Sequence, residues 1–268
     1  MIALDRMVVD DTPARPEAKA AAIHAQLGSD GHPVPVHRIA TALDIVEIED
    51  RPLASFEGLL LTGPEREFGT IAVNSASSWQ RRRFSVAHEL GHFLCDWHVP
   101  RQQQAGFGCT RSDMVAPVGD PIHLRQEREA NTFAIELLAP AAAMKPWLRR
   151  FPDLEHVIEI HKCLDISKAA AARRYVSLHP RSVAVVFAKD GKVSFAERGP
   201  EFPFIALRSG DMLPASPERP SDDVISEMLD ADPQEWAISA PGAELACQHL
   251  AQMDGHSITL LYLDRRDS

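Results

Sequence analysis

Apolar and polar positions follow two different periods along this chain, and the change of period marks its organisation. Residues 16–27 start on a proline, run through alanines and stop before Gly28, which predicts a helix. Residues 33–36 read as extended and 37–43 as a short helix. Residues 45–48 alternate like a half-buried strand. Residues 58–62 and 70–74 read as two more strands, joined by a polar turn at Gly63-Pro64-Glu65-Arg66. A helix that Ser77 or Ser78 could cap follows. Residues 100–121, rich in Gly, Gln, Pro and Ser, read as a long loop or lid. Residues 124–138 form a strong helix that ends near Pro140. Residues 147–150 and 154–178 are helical, with a break at Leu164-Asp165-Ile166. Beyond Arg181 two hairpins are expected: 182–188 with 192–197 across Asp190-Gly191, and 245–253 with 257–263 across Asp254-Gly255. A Pro-rich loop spans 213–220, and no internal repeat is visible. The pattern predicts an α+β fold: a loose leader over 1–15, a main domain over 16–150, a helical segment over 151–180 and a small α+β unit over 181–268.

The chemistry concentrates in the helix after Ser78, which reads Phe84-Ser85-Val86-Ala87-His88-Glu89-Leu90-Gly91-His92. This is HExxH. Four residues make about one helical turn, so His88 and His92 stack on one face and can reach a single zinc ion. Glu89 lies beside that face, in the position of a general base. Two solvated histidines on a polar face are the plain alternative. Against that stand the apolar neighbours Ala87, Leu90, Phe93 and Leu94, which predict a buried helix in which such groups need partners.

A catalytic zinc takes three protein ligands and keeps one position open. The next helix offers Glu127-Arg128-Glu129-Ala130-Asn131. Glu127 and Asn131 share a face and flank the apolar stripe of Ala130, Phe133, Ala134, Leu137 and Leu138. Glu127 is therefore the expected third ligand, and Asn131 the group that orients a ligand histidine. Glu129 is the rival ligand, better placed facing outward. His98, His123 and Arg125 are candidates to stabilise an oxyanion, each weighed against an ordinary surface role. Cys95, three residues after His92, returns to the ligand face. It reads as a redox handle or, more plainly, as a small buried hydrophobe.

Composition narrows the setting. The chain has 268 residues, 45% hydrophobic and 25% charged, with a net charge of −10. That acidity argues against a default nucleic-acid binder, since phosphate neutralisation needs clustered Lys and Arg. The four cysteines form no CxxC pair, which suits reduced thiols in the cytoplasm. No signal peptide and no bilayer-length apolar run are visible, so no membrane role is expected. A zinc peptidase in the cytosol points to a restricted substrate.

The runs Arg82–Leu94 and Glu127–Pro140, in this order and at this distance, resemble the ImmA/IrrE family of bacterial metallopeptidases. The segments Pro33-Val34-Pro35-Val36 and Ile71-Ala72-Val73-Asn74 resemble it too, and the likeness covers roughly 16–180. It implies a thermolysin-like (gluzincin) minimal zinc-peptidase core with a helical extension and a small C-terminal α+β unit. It implies Zn2+ as cofactor, with another divalent ion such as Mn2+ able to substitute. The implied substrate class is a helix-turn-helix (Xre-type) repressor, whose cleavage would relieve repression in a stress or mobile-element response. Two departures stand out: Asp96 where many members have a histidine, and Ala139 where a methionine is usual before the closing proline. Residues 151–180 also resemble a helix-turn-helix, with Ser167 as an N-cap and Arg173 and Arg174 able to touch phosphates. Asp165 replaces the turn glycine of DNA readers, and Asp153, Glu155 and Glu159 lie near, so a scaffold is the favoured reading and DNA binding is not expected. Residues 181–268 suggest a GAF-like sensor, short for a complete one, or a partner-binding unit. The alternative overall is a DNA-binding or partner-binding regulator with a secondary or inactive peptidase site.

Overall fold

The computed structural model describes residues 2–28, 32–100, 106–115, 121–214 and 224–264. Nine α-helices and nine strands fall among these residues. In chain order they are α1 (Arg6–Asp10), α2 (Pro16–Leu27), α3 (Val36–Ala42), β1 (Ile45–Arg51), β2 (Gly58–Thr62), β3 (Gly69–Asn74), α4 (Trp79–Leu94), β4 (Gly106–Cys109), α5 (Arg111–Val115), α6 (Pro121–Leu138), α7 (Ala141–Leu148), α8 (Leu154–Leu164), α9 (Lys168–Leu178), β5 (Val183–Lys189), β6 (Lys192–Arg198), β7 (Leu229–Ala231), β8 (Glu244–Ala251) and β9 (His256–Asp264). The class is mixed α+β with two separate sheets. The contacts divide the chain into one unit of residues 1–140 with 163–166, and a second of 141–162 with 167–268.

The first unit is built on a four-stranded sheet of order β1-β3-β2-β4. β1 runs parallel to β3, while β2 is antiparallel to both β3 and β4. β3 alternates buried and half-buried positions, so Ile71 and Val73 point into the core. Helix α4 packs on β2 and β3 and against α6, which also touches α2. Gly91 lets the two helices approach, because an added Cβ would lie 3.0 Å from Phe133 of α6. That closeness places the second half of α4 beside the middle of α6.

The expected loose leader contains α1. Asp5 caps it by accepting from the Met7 N–H, Val9 is fully buried, and the buried Lys19 ammonium donates to the Val9 and Asp10 carbonyls at 3.1 Å each. A five-residue helix offers no period to detect. The expected loop over 100–121 contains β4 and α5; its residues 101–105 and 116–120 lie outside the described residues. β4 reads Gly-Phe-Gly-Cys, with weak intrinsic strand preference, and exists by pairing with β2. Helix α7 starts earlier than 147, a start hidden by Pro146 inside it.

The break at 164–166 is real and has a physical cause. Asp165 adopts φ 51, and its carboxylate accepts from Trp79 Nε1 at 2.7 Å and Gln80 Nε2 at 2.9 Å, while the buried Arg83 Nε donates to its carbonyl at 3.1 Å. The turn of the helix-turn-helix-like segment is thus tied to the first turns of α4. Ser167 caps α9 as expected, accepting from the Ala170 N–H.

In the second unit the five-stranded antiparallel sheet has the order β6-β5-β9-β8-β7. Both expected hairpins are present. Their tips carry left-handed backbone at Asp190 (φ 50) with Gly191 (φ 74) and at Asp254 (φ 55) with Gly255 (φ 75). Trp236 and Phe202 fill the core on one face of the sheet with Val186, Leu261 and Leu263. Arg173 faces Glu197 at 3.5 Å and lies over the Phe195 ring, and Arg174 is buried, so the basic pair of α9 is engaged within this unit. Of the expected Pro-rich loop, residues 215–220 lie outside the described residues.

Candidate metal centre

Helix α4 begins at Ser78, whose hydroxyl accepts from the Arg81 N–H, and buries everything from Ser85 to Leu94. Its last turn would leave carbonyls without partners. Arg66, in the left-handed turn between β2 and β3, supplies them. Its buried guanidinium donates to the carbonyls of His92 at 2.7 Å, Phe93 at 3.1 Å and Cys95 at 2.5 Å, and also to that of His98. A buried cation at a helix C-terminus also suits the helix dipole. The turn that the sequence shows only as polar therefore anchors the histidine helix.

His88 and His92 are fully buried on α4, and Glu127, 2% exposed, faces them from α6. Cys109, fully buried on β4, joins them. His88 Nε2, His92 Nε2 and Cys109 Sγ lie 3.2 to 3.5 Å from one another, and the Glu127 carboxylate reaches them with Oε2 at 3.2 Å from His88 and Oε1 at 3.5 Å from His92 and 3.9 Å from Cys109. Donors arranged tetrahedrally about zinc, at bonds of about 2.0–2.3 Å, stand about 3.3–3.7 Å apart. The side chains stand close to that spacing. The two histidines and Glu127, expected as ligands from the sequence, lie together here, and Cys109, which no sequence pattern marked, joins them.

The hydrogen bonds behind the cluster determine which way each imidazole faces. Asn131 Nδ2 donates to the Asp113 carbonyl at 3.3 Å, which leaves Asn131 Oδ1 to accept from His88 Nδ1–H at 3.0 Å. Glu129 accepts from Trp97 Nε1 at 2.6 Å, from Arg125 Nε at 2.7 Å and from His98 Nε2 at 3.0 Å. His98 Nδ1 is then an acceptor for His92 Nδ1–H, 2.9 Å away. Both cluster histidines consequently aim unprotonated Nε2 lone pairs into it. Burial pulls the His92 pKa down to about 4, so its ring is neutral at neutral pH. Burial alone would raise the Glu127 pKa, but contact with His88 and His92 outweighs it and holds the carboxylate below its usual range. Two lone pairs and a carboxylate converging in a buried space call for a cation.

Glu89 is fully buried, and neither carboxylate oxygen has a hydrogen-bond partner. Burial pushes its pKa well above the usual range; the nearby Cys109 thiol opposes that push and the charge of Glu127 adds to it. A cation in the neighbouring cluster would reverse that push. Gly58 of β2 makes the space, since a Cβ there would collide with Glu89 Oε1. The residues present thus fit a zinc ion: four suitable donors, tautomers set from behind, and an otherwise orphaned carboxylate alongside.

Other sequence candidates fall differently. Glu129 is not in the cluster; it orients His92 through His98. His98, 1% exposed, contacts His92 from the far side of the cluster and so is not aimed at an oxyanion. Arg125 is exposed and pairs with Glu129. His123 comes nearest, with Nδ1 3.4 Å from Glu127 Oε1 and Nε2 3.3 Å from Asp113 Oδ1. Cys95 sits at the C-cap of α4 outside the cluster, buried in the core, its thiol pushed up to about 12 by that burial.

Among the described residues no helix is long and apolar enough to cross a membrane. No curated protein matches the chain in sequence. A structure described as a Mycobacterium tuberculosis transcriptional regulator is similar, with TM-score 0.57 and 11% identity, over 96% of this chain and 81% of that one. At that identity the likeness concerns the fold. Residues 45–175 match Peptidase_M78, the IrrE N-terminal-like domain, a span that holds α4, β4, α6 and every residue of the cluster. On that match, residues 45–175 are a domain of the ImmA/IrrE family of metallopeptidases.

Proposed function

We propose that the chain is a cytosolic, zinc-dependent endopeptidase with His88, His92 and Glu127 as metal ligands and Glu89 as general base, on a thermolysin-like core. Asn131 serves as the residue that orients His88. One observation carries the reading: three donors from two helices share one small buried volume while Glu89 stands beside them with both oxygens unpartnered. When bound, zinc supplies Lewis acidity for amide hydrolysis. Glu89 takes a proton from the attacking water and delivers it to the leaving amine. His88 and His92 are kept in the ligating tautomer by Asn131 and by the His98–Glu129 pair. Of the three candidates to meet developing negative charge, His123 lies nearest the cluster, held between Glu127 and Asp113. Free thiols at all four cysteines are compatible with the cytosol.

The substrate in this reading is a helix-turn-helix repressor of the Xre type, cleaved to induce a stress or mobile-element response. Family membership supports a protein substrate, and residues 181–268 would then sense a signal or hold a partner. Co-expression of a neighbouring Xre-type repressor with wild type or Glu89→Gln tests it. Loss of intact repressor with wild type alone is expected. Equal repressor integrity with both proteins would exclude that substrate.

A further inference from the structure

A catalytic zinc keeps a coordination position open, whereas a structural zinc is closed by four protein ligands. By that rule the donor set here is one too many. The surplus donor is Cys109, whose Sγ lies 3.2 Å from His88 Nε2, 3.5 Å from His92 Nε2 and 3.9 Å from Glu127 Oε1. It comes from neither helix but from β4, the edge strand of the first sheet.

β4 covers the centre in more than one way. Its register on β2 pairs Cys109 with Gly58, the residue directly over Glu89, and Phe107 with Leu60. The Phe107 ring stacks on the imidazole of His92, with centroids 4.6 Å apart and planes 20° from parallel. Gly106 permits the close pairing, because a Cβ there would collide with the Leu60 carbonyl. Beneath it Glu89, His88 and His92 are all fully buried.

We propose that the Cys109 thiolate is a fourth protein ligand, so that β4 is a plug holding the metal centre closed until it is displaced from β2. Displacement has two consequences at once. It frees the fourth coordination position beside Glu89, and it bares the β2 edge at Gly58–Leu61, to which an extended peptide can add as a new antiparallel strand. The resting protein is therefore a latent peptidase, and the occupant that replaces β4 is the substrate strand itself. This inference rests on the zinc reading above.

The test uses full-length protein loaded with zinc or cobalt. X-ray absorption at the zinc edge should show one sulfur at about 2.3 Å in wild type and none in Cys109→Ser or Cys109→Ala, with zinc still bound in both variants. Cobalt-loaded wild type should show a thiolate-to-metal charge-transfer band that both variants lack. Acetohydroxamate, a small chelator that needs an open position, should bind the cobalt-loaded variants about tenfold or more tighter than wild type. Amide hydrogen exchange at Gly106–Cys109 should be faster in zinc-loaded Cys109→Ala than in zinc-loaded wild type. A wild-type zinc bound by nitrogen and oxygen alone overturns the plug and leaves the peptidase reading standing. Equal acetohydroxamate affinity, or equal exchange, overturns it as well. Absence of zinc from wild type overturns both readings together.

Discussion

Two regions of this protein bury a histidine against a cysteine, and they differ in what the nitrogens find. In the second unit His249 Nδ1 meets Thr259 Oγ1 at 2.8 Å, and its Nε2 lies 3.7 Å from Cys247 Sγ. Both ring nitrogens have neutral partners, and the group gathers no metal-ligand cluster among the described residues. In the first unit His88 and His92 have donated their Nδ1 protons outward, so their lone pairs meet Glu127 and Cys109 in one small volume. Burial and residue type are shared; proton bookkeeping is not. A buried histidine becomes a ligand when the hydrogen bonds behind it use up its proton and a carboxylate faces it from the front.

The contrast can be broken or sharpened experimentally. The largest expected effect is on the frame that holds the ligand helix. Arg66→Ala removes a buried cation from several α4 C-terminal carbonyls and should lower unfolding stability by about 3 kcal/mol in urea titrations. Next comes the tautomer relay: His98→Ala should weaken zinc binding by about 10–100-fold in chelator competition, while His249→Ala leaves zinc affinity unchanged. If His249→Ala weakened zinc equally, the distinction between the regions would fail. Gly58→Ala should lower peptide hydrolysis by about 10-fold or more, by forcing Glu89 aside, with zinc content retained.

A smaller effect concerns pH. The His92 pKa falls from 6.5 in an unperturbed ring to about 4 in the metal-free fold, chiefly through burial. Below 6.5 the unfolded chain takes up a proton that the folded one refuses. This contribution to stability is therefore full above 6.5 and is lost as pH falls towards about 4. The urea midpoint of metal-free protein should drop between neutral pH and about pH 5. His92→Gln should flatten that drop, and an unchanged slope would count against the neutral, buried imidazole.

Much of this was readable from the chain because the signals were periodic. HExxH on a buried helix, the Glu127–Asn131 pair and both Asp-Gly hairpins are local patterns, and each element stands where its pattern put it. Cys109 left no such mark. It belongs to a four-residue strand containing two glycines, held by pairing with β2, and its proximity to His88 spans 21 positions. Cys95 gave the stronger local signal, three residues after His92, yet α4 ends there and the thiol turns into the core. The part played by Arg66, and that of His98 behind His92, were equally hidden, because each acts on the end of α4 from outside the helix.

Zinc content per chain, measured on wild type and Glu127→Ala purified side by side, tests the central claim most directly. The account predicts one zinc per wild-type chain and a much reduced content in the variant, with both proteins folded. Equal, near-zero zinc in the two would contradict it.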